Sequence, residues 1–482
     1  MRQAVIALGV VLFLAPLHWL GRHAPESEGG RTTIRFTAWG NEEEQAFLRE
    51  LIDQFEAENP DIRVRFIHIP NQYNQVLLTM IVGGEAPDIF YTAPALFPTL
   101  TAKGIVMDIT DRLETTGLVD DFFPAVVEAY RFDRQAMRFG VGRSYGVCKD
   151  WSCDSCVYYN RDMFREAGVP EPGANWTFAD FLRTAIRLTK VRLEGRVLQF
   201  GVTPEATYRE LGLPVPTDEE SFAGFMRAAK ERGGVTTQFG TYDNCFFEQW
   251  TAQAGGQVFS EDGKRCTLDS PEVIAGLQFA VDLATKYGVA PDYSERAQGT
   301  VDQFFTNQQA AMVFYGRWFT PIFNRRIDDF DWSCARPPMG VTDANISAGM
   351  CGYALYAKTR HPDEAWRFLA FLVGEEGQEG TARKGWNQPS NERVAERAMT
   401  EFLVGSPARD RKIQRVFLDV ARHTRLRTVN PYIPTEQFEQ ILYRQYELAQ
   451  LGRKTVAQAM ADATVETNQA IGDSLRELGI AP

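Results

Sequence analysis

The chain has 482 residues, 44% of them hydrophobic and 24% charged, with a formal net charge of -12. Its length exceeds what one hydrophobic core serves, so two lobes with a cleft between them are expected. The acidic balance excludes a phosphate backbone as the main partner, while aromatics at 12%, including 9 Trp, 16 Tyr and 33 Phe, offer the flat apolar faces with polar edges that a polyhydroxylated ligand uses.

The first residues read MRQAVIALGVVLFLAPLHWLGRHAPESEGG. Arg2 precedes an apolar run over residues 4–20, and a polar tether continues to Gly30, which together make an export signal. Two readings stand. A cleavable signal peptide requires small residues before the cut, yet a cut after Ala24 places Arg22 three positions back, and a cut after Ala15 precedes Pro16. An uncleaved anchor fits the run, which spans about 25 Å at helical rise, short for a bilayer but acceptable for a signal anchor. Both place the body outside the cytoplasm, at the periplasmic or extracellular face of the membrane.

From Thr33 the stretch TIRFTAWG predicts a strand. NEEEQAFLRELIDQFEAENPD follows as an amphipathic helix with Phe47, Leu48, Leu51, Ile52 and Phe55 at helical spacing. Strand IRVRFIHIP, helix YNQVLLTMIVGG, strand DIFYT and a helical stretch through LFPTLTAKG continue the alternation. That order is the signature of a mainly parallel sheet covered by helices. Ligands of such sheets gather beyond the carboxyl ends of the strands, where Trp39, Asn41, Asp88 and Tyr91 are expected. The competing role of these residues is capping and core: Asn41 caps the first helix, with Glu44 completing a capping box.

A strand-like segment over residues 145–160 leaves this lobe, followed by helix RDMFREAG, turn VPEPGANW and helix TFADFLRTAIRLTK. Residues 191–241 give the least legible pattern. Beyond them come a helix from FEQW, Gly-rich turns, and a helix capped by Ser270 with Pro271 at its first position. FFTNQQAAMVFYGRW predicts a short helix and a strand ending on Gly316, Arg317 and Trp318. After the break PPMG, GYALYAKT predicts a strand and HPDEAWRFLAFLVG a helix, and the remaining segment is helical and amphipathic.

CKDWSCDSC packs three of the seven cysteines into one stretch ending in CxxC. Zinc would need about four ligands, and the five histidines, His18, His23, His68, His361 and His423, all lie away from it. A thioredoxin-like site would need a helix after Cys156, where VYYN predicts a strand. In an exported chain a local or hinge disulfide is expected, its connectivity open.

FTAWG, FEAENPDIRVRF, VGGEAPDIFYT, GIVMDITDRL, VYYNRDMFREAGVPEPGANWTFADF, WTAQAGGQVFSEDGK, QQAAMVFYGRW and GYALYAKTRHPDEAWRFLAFL stand in this order over residues 34–374. They resemble family 1 of the extracellular solute-binding proteins, the maltose-binding-protein-like sugar-binding components of ABC importers. The resemblance implies an α/β, two-lobed periplasmic-binding-protein-like fold (type II, Venus flytrap) with three hinge crossings, near residues 146–154, 334–340 and 384–392. It implies one lobe from 31–147 with 340–385 and another from 148–339 with 386–482, after a signal segment and tether over 1–30. It further implies capture of a carbohydrate by lobe closure and delivery to the permease subunits of an ABC transporter, by a monomer with no cofactor, no nucleic-acid partner and no enzymatic activity. The family places a Trp against its ligand where Trp318 stands; Trp39, Trp151, Trp250, Tyr353 and Trp386 are further aromatic candidates, and Tyr91, Asn41, Glu42, Asp88, Asp154 and Arg317 complete the expected site. The chain departs from the family's YGLP and GG patterns, with YGVCKDWSCDSC and AGMCG in their places, which sets cysteines beside the hinge.

Two other uses stay open. One is an anchored receptor for another small polar solute. The other is a glycoside-processing enzyme with Asp150 and Asp154 as acid and base, but residues four apart on a strand share a face with little room for a sugar between them. No GxSxG, HExxH or Walker loop occurs.

Overall fold

The structure, a computed structural model, describes residues 27–28, 30–92, 96–153, 155–245, 247–347, 349–385, 387–402, 408–427 and 429–481. The export segment, Asp154 and Trp386 lie outside the described residues. Strand β1 (Arg31–Ala38) buries Ile34, Phe36 and Ala38 completely. β2 (Ile62–His68) and β3 (Ile89–Thr92) pair with it in parallel, because helices Glu42–Glu58 and Tyr73–Val82 carry the chain back between them. Leu48, Leu51, Ile52 and Phe55 form the buried stripe of the first helix.

β4 (Val147–Ser152) ends at the first passage between sheets. β5 (Cys156–Asn160) is the centre of a second sheet, flanked antiparallel by β6 (Met312–Tyr315) and β7 (Trp332–Ala335). β8 (Gly349–Leu355) then returns to the first sheet between β3 and β4, and β9 (Gln388–Pro389) pairs with β4. The first sheet therefore runs β2-β1-β3-β8-β4-β9. After β9 the chain goes back to the second sheet, where helix Ala408–Ala421 packs on β7. Three stretches, at residues 153–155, 336–348 and beyond Pro389, thus join the sheets. β8 carries an irregularity between Cys351 and Gly352, where a side chain on Gly352 would meet the Val147 carbonyl and the Tyr130 hydroxyl.

Each sheet has its own aromatic core. In the first, Phe36 meets Phe66 at 5.4 Å between ring centroids, Phe368 at 5.5 Å and Tyr91 at 5.8 Å. In the second, Trp250 meets Phe178 at 5.2 Å, Phe279 at 5.3 Å and Phe314 at 5.4 Å. Helices Thr435–Gln450 and Val456–Glu477 pack together with Pro271–Thr285 over Phe247 and Phe259. The illegible segment holds an antiparallel hairpin, Lys190–Leu193 with Arg196–Gln199, and a third strand, Thr236–Gln238.

The expected hinge disulfide does not join Cys148 to Cys351. Cys148 is registered opposite Gly352 rather than Cys351, and its thiol donates to the carbonyls of Asp150 at 3.2 Å and Cys351 at 3.5 Å. Burial pushes the Cys148 thiol up to about 12, away from the reactive thiolate. Non-reducing peptide mapping is accordingly expected to recover the Cys148 and Cys351 peptides unlinked; a peptide pair joined through these two cysteines would contradict this.

Candidate functional site

The site forms where β1 ends. The turn Trp39-Gly40-Asn41 leads into helix Glu42–Glu58, and the Asn41 side chain caps it by accepting from the Glu44 amide at 2.9 Å. Glu44 does not close the expected capping box. Its carboxylate instead accepts from Lys149 Nζ at 3.0 Å and the Tyr91 hydroxyl at 3.2 Å, because a cation on β4 outcompetes a backbone amide. Lys149 also bonds the Asp150 carboxylate and sits 5.1 Å over the Tyr91 ring. Asp150 takes a further bond from Asn387 Nδ2 at 3.2 Å. Burial raises the Asp150 carboxyl above its usual range, against the opposing pull of Lys149. Burial works against the Lys149 ammonium too, yet Asp150 and Glu44 more than offset it, and Lys149 is held well above its ordinary value.

The facing wall comes from the second sheet. After β6, Gly316 precedes a single turn, Arg317–Phe319, and helix Thr320–Arg326. The Trp318 ring lies over Gly316 so closely that any side chain there would overlap it, which is the physical reason for a glycine two residues before this Trp. Trp318, Pro321, Ile322 and Arg325 thereby face Asn41, Glu43, Glu44 and Phe47 across a cleft of about 240 Å³ floored by Lys149, Asp150 and Asn387. A cleft of this size holds a ring-sized solute, with an aromatic plate on one wall and carboxylates, an amide and an ammonium around it.

Of the residues expected from sequence, the structure brings Asn41 and Trp318 together in this cleft. Glu42 is exposed on the first helical turn, and its neighbours Glu43 and Glu44 line the cleft instead. Trp39 is half-buried behind Asn41, edge-on to Tyr73 at 4.8 Å and Tyr91 at 5.0 Å. Tyr91 and Tyr353 are buried, and Tyr91 reaches the cleft only through its bond to Glu44.

Four expected residues, Asp88, Trp151, Trp250 and Arg317, do not line this cleft. Asp88 precedes β3 and so lies at the amino end of that strand, where its carboxylate accepts from the Arg35 amide at 2.7 Å and from the Thr359 hydroxyl. Trp151 is buried against Phe123 at 5.2 Å. Trp250 is core, its indole donating to Asp243 at 3.1 Å. Arg317 points away from the cleft and bonds the hinge strand. Sequence reasoning missed Lys149, although it stands in the first hinge motif, and it missed Glu43, Phe47, Pro321, Ile322, Arg325 and Asn387, of which Glu43 adjoins the candidate Glu42 and Asn387 the candidate Trp386.

A family model for the bacterial extracellular solute-binding protein matches residues 50–404. The chain belongs to the bacterial extracellular solute-binding protein family. It is 22% identical over 354 residues to the multiple sugar-binding protein of Streptococcus mutans, covering 73% of each chain. Its fold matches that of the ABC substrate-binding protein Lmo0181 from Listeria monocytogenes in complex with cycloalternan, with a TM-score of 0.68 at 22% identity over 94% of this chain and 100% of that one. It also matches UgpB from Mycobacterium tuberculosis in complex with glycerophosphocholine, with a TM-score of 0.69 at 19% identity over 93% of this chain and 100% of that one. The solute-binding fold is thus two-lobed, with the cleft between its sheets. Among the described residues no helix is long and apolar enough to cross a membrane.

Proposed function

We propose that the chain captures a carbohydrate in this cleft by closing its two lobes, outside the cytoplasm, and delivers it to the permease of an ABC importer. The observation that carries this reading is the pairing of the half-buried Trp318 plate with the polar wall of Asn41, Glu43 and Glu44. A pyranose ring presents an apolar face to the one and hydroxyl groups to the other. The cleft sets three carboxylates, Glu43, Glu44 and Asp150, against two cations, Lys149 and Arg325, a balance that favours a neutral polyol over an anionic solute. The moving bodies in this reading are the first sheet, which includes β4 and β9, and the second, each with the helices packed on it, and a bound solute shifts the open-to-closed equilibrium because it touches both walls only when they meet. The export segment holds the protein at the membrane surface or is removed from it.

The placement of the acids supports binding rather than hydrolysis. Glu44 and Asp150 share the Lys149 ammonium, so neither is placed to hold a proton for a leaving group while the other attacks. A thermal-shift panel of mono- and oligosaccharides, with glycerophosphocholine as a polar solute that is not a sugar, tests the proposal. A concentration-dependent rise in midpoint with a saccharide is expected. A rise with glycerophosphocholine alone, or turnover of an aryl glycoside, would contradict it.

A further inference from the structure

Arg317 is 4% exposed, yet its guanidinium meets no carboxylate among the described residues. Burial draws its pKa down to about 10, which still leaves it charged at neutral pH. A buried cation is tolerated only when its donors are satisfied, and here the acceptors are neutral: the Asn387 carbonyl at 2.7 Å and Gln388 Oε1 at 3.3 Å. Both stand just before the third passage between the sheets. Gln388 lies on β9 opposite Trp151 of β4, and Asn387 also bonds Asp150 on the cleft floor. The Arg317 amide meanwhile donates to Ser152 Oγ at 3.0 Å, at the end of β4. A single residue on a turn of the second sheet therefore grips both hinge strands of the first. The next residue is Trp318.

We infer that Arg317 is a positioning residue: through Asn387, Gln388 and Ser152 it pins the turn that carries Trp318 to the hinge strands β4 and β9, so that the plate is held in place over the cleft floor. This rests on the reading of Trp318 as the wall of the cleft. It explains why a guanidinium is buried beside neutral carbonyls, where an apolar side chain would fill the space at lower desolvation cost. A plate keeps its position beside a hinge only through contacts at the hinge strands themselves, and a charge-assisted pair of bonds there is such a contact.

Trp318 reports on this directly. Its emission is isolated by subtracting the spectrum of Trp318→Phe from that of the parent, and that of the matching double variant from each Arg317 variant. In Arg317→Met the turn is released, and a red shift of the Trp318 signal with loss of its protection from acrylamide is expected under conditions where circular dichroism shows the fold intact. Arg317→Lys keeps a charge and one bond and is expected to retain most of that protection. A role in packing alone would lower the unfolding midpoint without moving the Trp318 signal, and parental emission and quenching in Arg317→Met would overturn the inference. Should Arg317→Met not fold, Arg317→Gln is read the same way: its amide is too short to reach the hinge acceptors, so loss of protection supports the inference and a parental signal overturns it. No sugar enters the measurement, so its failure leaves the carbohydrate reading standing, and a silent saccharide panel leaves this coupling standing.

Discussion

Lys149→Met is expected to lower the unfolding free energy at neutral pH by about 3–5 kcal/mol, measured by urea unfolding, because removing one partner of a buried ion pair strands the other. The Lys149 and Asp150 side chains are only 12% and 6% exposed, so water screens little of the loss. The pH dependence has a definite sign. Burial raises the folded-state pKa of Asp150, so its charged form costs stability above the unfolded value, and that cost disappears as pH falls through the folded value. Lys149, raised by Asp150 and Glu44 against burial, contributes stability that is complete below its unfolded value and lost only as pH rises through the folded one. In the parent the two effects offset each other near neutrality; in the variant the carboxylate stands alone. The deficit should therefore be largest near neutral pH and narrow on acidification through the Asp150 titration. A deficit under 1 kcal/mol by the same estimate, or one that does not change with pH, would remove this pair from the floor of the site.

Trp250→Ala should be comparably damaging for a different reason. The indole fills the space between Phe178, Phe279 and Phe314 and donates to the buried Asp243 carboxylate, so truncation leaves a cavity and an unpaired acceptor together. A loss of about 3–5 kcal/mol in urea unfolding is expected, with saccharide affinity of the folded fraction unchanged. Weakened binding at unchanged stability would return Trp250 to the ligand site.

The contrast between Trp250 and Trp318 marks how far the sequence could be read. The strand and helix alternation of the first lobe was legible because Leu48, Leu51, Ile52 and Phe55, like Ile34, Phe36 and Ala38, declare their buried faces through local spacing. A Trp carries no such mark. Whether its ring meets solvent or Phe279 depends on chain distant in sequence, and the motif around Trp318 sets the ring at the cleft because Gly316 makes room for it. Asp88 was misplaced although the order of residues held the answer: it precedes the strand IFYT and so must sit at the amino end. Glu44 and Lys149, 105 residues apart, meet only in three dimensions, and no local pattern in the sequence pairs them. Compartment and spacing favour a disulfide, but they could not show that strand register keeps Cys148 opposite Gly352 rather than Cys351.

Calorimetric titration of the parent and of Trp318→Ala, with the saccharide giving the largest thermal shift, tests most directly that a sugar is held between these walls. A half-buried cleft residue contributes to binding more than to folding, so affinity should weaken by about 2 kcal/mol or more while the unliganded midpoint stays near that of the parent. Equal affinity in the two proteins, or a lowered midpoint with affinity retained, would place the ligand elsewhere.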